Sequence, residues 1–118
     1  MTPTIITNDN GFLMAIGSPG GPRIISTVLQ VILNVLEFGM NIQEAVSAPR
    51  VHHQWMPDQL FVEPWGISPD AASSLQQMGH SIQCSGYFGD ALGVVKDPAT
   101  GLLYGGIDPR QDGYAAGR

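Results

Sequence analysis

The sequence predicts an α+β fold. Apolar runs flank turn-forming clusters at both ends of the chain, and the middle carries helical patterning bounded by caps. The expected order is β-β-α-α-β-α-β-β-β, with helices packed on one face of a mainly antiparallel sheet. A length of 118 residues suits one core and not two, so residues 1–118 read as a single domain. No internal repeat, low-complexity stretch or linker interrupts it.

Thr4–Thr7 and Phe12–Ile16 flank Asn8-Asp9-Asn10-Gly11, the pattern of a β-hairpin. The second run lacks polar alternation, which predicts a strand covered on both faces. Gly17-Ser18-Pro19-Gly20-Gly21 then makes a glycine-rich turn. A helix follows from Pro22 to about Phe38, with Pro in its first turn and Gly39 just past its end. Its apolar residues leave only a narrow polar stripe of Arg23, Thr27, Gln30, Asn34 and Glu37, so burial on most sides is expected.

Asn41 and Glu44 have capping-box spacing, which predicts a short helix to Ala48, stopped by Pro49. Val51–Trp55 and Leu60–Glu63 look extended. Ser68-Pro69-Asp70 opens a helix that should run to Met78 and end at Gly79. His80–Ser85 reads as a strand, and 91–96 and 102–105 as a hairpin around Asp97–Gly101.

Charge narrows the function classes. The net charge is −5, and the five cations, Arg23, Arg50, Lys96, Arg110 and Arg118, are scattered. No basic patch exists to neutralise phosphates, which argues against nucleic acid and against a charged membrane surface. No apolar run reaches the length of a membrane span. Charged residues make up only 13% of the chain, so it reads as a piece that expects cover from more chain or from a partner. Cys84 is the single cysteine and has no internal partner for a disulfide. No leader is legible at Met1, and the compartment stays open.

Four stretches, in order, resemble the γ-glutamyltranspeptidase small subunit. They are Gly17-Ser-Pro-Gly-Gly-Pro-Arg-Ile24, Asn41–Ala45 with Ala48-Pro-Arg-Val-His-His-Gln-Trp55, Leu60-Phe-Val-Glu63 before the Ser68-Pro69 helix, and Leu103-Tyr-Gly-Gly-Ile-Asp-Pro-Arg110. The resemblance covers essentially the whole chain. It implies part of an N-terminal-nucleophile hydrolase fold, an α/β/β/α sandwich. Such enzymes expose a Thr by self-cleavage, and its hydroxyl attacks a γ-glutamyl amide, commonly that of glutathione. The acyl group then passes to water, an amino acid or a peptide. The family's nucleophile and donor-gripping residues match positions upstream of Met1, so the expectation is a C-terminal piece that is inactive by itself. Family members are often exported or surface-bound.

By the same resemblance Gly20 and Gly21 form the oxyanion hole, the site's main electrostatic stabiliser. Glycines let backbone N–H groups face an anion unobstructed, and a helix N-terminus favours negative charge. The bland alternative is a tight strand-to-helix turn. Ser18 lies in the same motif. Arg50 and Arg110 match family arginines, and a structural role, pairing with acids or carbonyls, is the expected one, with Asp108 near enough to brace Arg110. Thr2 would be terminal if Met1 were removed, yet it matches no nucleophile position, and Pro3 hinders that removal. His52 and His53 point to opposite faces of an extended segment, and no ligand spacing supports a metal site with His80, Cys84 or Asp58. The histidines are expected in a buried turn with Trp55, and Cys84 as a small buried hydrophobe. Asp90, Asp97 and Asp112 are loop acids with no visible partner. No cofactor is expected. The partners expected are γ-glutamyl compounds such as glutathione, and either a second copy or the N-terminal part of the family protein. A non-catalytic subunit and an anion-binding module are the rival readings.

Overall fold

The computed structural model describes residues 3–9 and 11–117. Thr2, the would-be terminal threonine, lies outside them. The order is β1 (Thr4–Asn8), β2 (Gly11–Gly17), α1 (Arg23–Leu36), α2 (Ile42–Ser47), β3 (Val51–His52), β4 (Leu60–Val62), α3 (Pro69–Gln77), β5 (Ile82–Cys84), β6 (Leu92–Lys96) and β7 (Leu103–Ile107). The order expected from the sequence is therefore one strand short. The extended stretches on either side of Pro57 are two separate strands, which pair with each other.

The main sheet is antiparallel, in the order β1-β2-β6-β7. The two hairpins predicted at opposite ends of the sequence meet here, where Met14–Gly17 pair with Leu92–Val95. A smaller sheet has the order β3-β4-β5, with β4 and β5 parallel. A parallel pair needs a crossover, and α3 supplies it.

The caps explain the helix ends. The Asn41 side chain accepts from the Glu44 amide at 2.9 Å, and the Glu44 carboxylate accepts from the Asn41 amide at 3.0 Å. Ser68 caps α3, with Pro69 at its first position. Asp70 sits in that first turn, and the nearby Ser68 hydroxyl helps hold its carboxyl below the usual range.

The core lies between one face of the main sheet and the helices α1 and α2. Met14, Ile16, Val28, Val31, Ile42, Ala45, Val46 and Ala91 form it. Glycine sets the close approach of α2. A Cβ at either Gly93 or Gly106, which face each other across β6 and β7, would lie 2.8 Å from an Ile42 side-chain atom. Those two bare positions are the floor on which Ile42 rests.

One expectation is corrected. Helix α1 buries only Thr27, Val28 and Val31, while Ile25, Leu29, Leu33 and Leu36 remain exposed along its outer side. Its apolar periodicity is real, but these residues cover one side of it only. The main sheet carries α1 and α2 on one face, as expected, and none of the described helices covers the other. Ile5, Leu92 and Leu103 are exposed, and the tail crosses part of that side, since a Cβ on Gly113 would lie 2.6 Å from Ile107. Helix α3 buries no residue and connects the parallel strands β4 and β5 of the small sheet. None of the helices among the described residues is long and apolar enough to cross a membrane.

Candidate functional site

The turn from Gly17 to Gly21 leaves β2 and enters α1 directly. Gly20 has φ +133° and Gly21 φ +59°, backbone conformations that side chains rarely adopt. Their carbonyls are used, accepting from the amides of Arg23 at 3.2 Å and Ile24 at 3.1 Å. Their own N–H groups donate to nothing among the described residues, and both glycines are exposed. Pro22, at the N-cap, has no N–H and caps nothing. The open donors at the start of α1 are therefore the Gly20 and Gly21 amides, since those of Arg23 and Ile24 are taken.

Ser18 anchors this turn. It is fully buried, donates to the Pro19 carbonyl at 2.8 Å and accepts from the Asp90 amide at 3.1 Å. Segment 86–91 is thereby tied to the turn. Gly89 packs against it closely, with its Cα 3.9 Å from where a Gly20 Cβ would stand. Gly89 itself has φ +77°, and a Cβ there would lie 2.9 Å from Thr27 Oγ1 and 3.2 Å from Arg50 Nη1.

On its other side the same segment meets a buried cluster of four charges. Arg50 Nη2 donates to Asp108 Oδ2 at 2.6 Å, and Arg110 Nη1 donates to Asp108 Oδ1 at 2.9 Å. Arg110 grips Glu63 through Nε at 3.0 Å and through Nη2. Two cations face two anions, so the cluster is neutral in sum. The remaining valences go to the backbone. Glu63 accepts from the amides of Arg50 and Phe88, and Asp108 from that of Ala91. Arg50 donates to the carbonyls of Val46 and Phe88, and Arg110 to those of Val46 and Ala48. These carbonyls include the C-terminal end of α2, where cations suit the dipole. The cluster pins α2, the end of β4, segment 86–91 and the turn after β7 to one another.

Titration follows from these contacts. Burial alone would raise the Asp108 pKa, but the Ala91 amide and the two guanidinium groups outweigh it and hold the carboxyl below its usual range. Burial pulls the Arg50 pKa down. For Arg110 burial acts the same way, yet Glu63 and Asp108 win and raise it. Two buried side-chain atoms, Thr27 Oγ1 and Arg50 Nε, have no hydrogen-bond partner among the described residues.

The structure brings Ser18, Gly20 and Gly21 together at the turn and places Arg50 and Arg110 in the cluster behind it. Sequence reasoning missed Glu63 as the second acid, and missed Gly89 altogether. The signal for Glu63 was present, a lone acid closing an otherwise apolar strand. The histidines part company. His52 is buried, with Nδ1 2.7 Å from Ser26 Oγ and Nε2 2.9 Å from Gln54 Oε1. His53 faces Asp58 at 3.1 Å, and both it and Trp55 are exposed, so the shared buried turn is corrected. Cys84 is exposed, not buried. It is the last residue of an edge strand, so its side chain lies at the margin of the small sheet. Asp97 does have partners, the Ala99 amide and the Thr100 hydroxyl. No group of His, Cys, Asp or Glu able to hold a metal occurs among the described residues.

Comparison with known proteins gives one consistent family. The family model for gamma-glutamyltranspeptidase matches residues 1–118. The glutathione hydrolase proenzyme of Escherichia coli K12 is 44% identical over 99% of this chain. The chain spans 20% of the length of that relative. A solved gamma-glutamyltranspeptidase from Helicobacter pylori superposes with a TM-score of 0.89 at 47% identity, over 94% of this chain and 61% of that one. A cephalosporin acylase from Bacillus halodurans superposes with a TM-score of 0.86 at 34% identity, over 97% of this chain and 22% of that one.

Proposed function

The chain belongs to the gamma-glutamyltranspeptidase family and folds as part of its N-terminal-nucleophile hydrolase architecture, and we propose that it contributes the oxyanion turn of a γ-glutamyl acyl transfer. The observation that carries the reading is the pair of unbonded amides at the exposed Gly20 and Gly21, held by positive φ at the start of α1. As a γ-glutamyl amide is attacked, negative charge develops on its carbonyl oxygen. Two fixed N–H donors stabilise that charge without reorganising. The attacking hydroxyl is a Thr supplied by family sequence outside these 118 residues. The four-charge cluster acts at one remove, by fixing segment 86–91, which in turn braces the turn through Ser18 and Gly89. The substrates are γ-glutamyl compounds such as glutathione.

Amide chemical-shift titration tests the oxyanion role. Glutamate or sulfate should perturb Gly20 and Gly21, with weak binding on the order of millimolar, about 4 kcal/mol, because the turn is wet. The response should vanish in Gly21→Val, whose side chain enters the space in front of the turn. Perturbations elsewhere, with the fold intact, would reduce both glycines to a structural turn.

The 118 residues alone should not release product from a γ-glutamyl anilide. Release that survives purification and disappears in Thr2→Ala would overturn this. The exposed stripe on α1 and the open side of the main sheet support association, with the rest of a family polypeptide or as a symmetric pair. Sedimentation showing only monomer at high micromolar concentration would count against the pair.

A further inference from the structure

We propose that Arg23 is a specificity residue, binding the terminal carboxylate of the peptide part of a γ-glutamyl peptide. This rests on the oxyanion reading of Gly20 and Gly21. Arg23 is the first residue of α1, and its Cβ is 3.9 Å from where a Gly20 Cβ would stand. Its guanidinium carbon lies 4.9 Å from the centre of the Phe88 ring and 5.3 Å from that of Phe61. Two rings from separate elements, segment 86–91 and β4, therefore hold one cation.

The contrast with the other two described arginines defines the site. Arg50 and Arg110 each meet acids and carbonyls, and their cluster is neutral in sum. Arg23 donates no side-chain hydrogen bond and meets no acid among the described residues, and it is half-buried. Aromatic rings hold a guanidinium through its faces and leave the N–H edges unspent. Those edges form a planar fork that suits a carboxylate, which it can engage through two parallel bonds. The polar groups that face the same rings do not supply one, since His52, which contacts both Phe61 and Phe88, is itself satisfied by Ser26 and Gln54.

Reach selects the ligand. Arg23 is two residues beyond Gly21, and its amide bonds the Gly20 carbonyl. A dipeptide extended from the oxyanion carbon spans about 7 Å, the scale of an arginine side chain leaving the same turn. The portion released from a γ-glutamyl tripeptide, or the dipeptide that accepts the acyl group, would place its terminal carboxylate within that radius.

The experiment follows the Arg23 Nε–H resonance and the Gly20 and Gly21 amides while glycylglycine, its C-terminal amide, or inorganic phosphate is titrated into the chain. Glycylglycine should move Arg23 and bind at least about fivefold more tightly than the amide. Arg23→Gln should abolish that discrimination while the glycine response to glutamate persists. Arg23→Lys, which keeps the charge without the fork, should retain part of it and guards against a fold defect in the Gln variant. Equal affinity for acid and amide, discrimination unchanged in Arg23→Gln, or phosphate binding more tightly than glycylglycine would each overturn the proposal. Its failure is separable from failure of the oxyanion reading. Discrimination at Arg23 with silent glycines would sink the oxyanion role and support the carboxylate site, and responsive glycines with no discrimination would do the reverse.

Discussion

The charge cluster and the glycine turn lean on the same stretch of chain, 86–91, and use hydrogen bonds in opposite ways. In the cluster, Glu63, Asp108 and Arg110 spend their valences on one another and on backbone. In the turn, the exposed Gly20 and Gly21 keep their N–H groups unspent among the described residues. The first pattern suits a brace, because a buried charge is tolerated only when it is paired. The second suits a site, because only an unspent donor is available to a ligand. Ser18 and Gly89 join them, so the rigidity of one supports the openness of the other.

The sharpest way to break this pairing is to unbalance the cluster. Asp108→Ala leaves Arg50 and Arg110 with a buried excess of positive charge and removes the acceptor of the Ala91 amide. We expect a loss of about 3–5 kcal/mol in urea unfolding. A change below about 1 kcal/mol would mean the cluster is wetter and looser than its contacts imply.

Acid should find the same weak point. The Asp108 carboxyl is held below its ordinary range, so its contribution to stability is complete above its unfolded pKa of about 3.9 and is lost as the pH falls through the folded value. Unfolding followed by circular dichroism should therefore steepen below about pH 4. In Asp108→Asn that steepening should shrink. An unchanged acid profile would assign it to other carboxylates.

Gly89 tests the joint. A Cβ at φ +77° and 2.9 Å from Thr27 Oγ1 is both strained and crowded. Gly89→Ala should cost about 2 kcal/mol and weaken the anion response at Gly20 and Gly21. Gly21→Ala is the mildest change, since a Cβ there meets nothing within 4 Å. Only the left-handed backbone resists, so thermal unfolding should report about 1 kcal/mol. A loss at Gly21 equal to that at Gly89 would show that the turn is packed, not open.

Much of the fold was legible because its signals are local. The capping box at Asn41–Glu44, Ser68-Pro69 at the start of α3, and the Asn8–Gly11 and Asp97–Gly101 turns each lie within a few residues. The apolar faces were legible, but not what covers them. Ile25 and Leu29 look like core by periodicity, and nothing in the pattern says whether the partner surface belongs to the same residues. Cys84 and Trp55 were misplaced for the same reason, since residue type suggests burial but does not supply a neighbour.

Short-range geometry and ordered motifs already specify most of the elements, the glycine turn ahead of a long helix, and the family to which both belong. Which charges meet is set by packing. Arg50 and Asp108 are 58 residues apart, and Glu63 and Arg110 are 47 apart. Closing such separations depends on how the two sheets and α2 come together around segment 86–91. Pairing the β2 and β6 edges brings the ends of the chain side by side, and packing α2 onto Gly93 and Gly106 sets the Val46 carbonyl where both arginines reach it. A long-range ion pair is thus a result of packing, while a cap or a turn is already present in a few neighbouring residues.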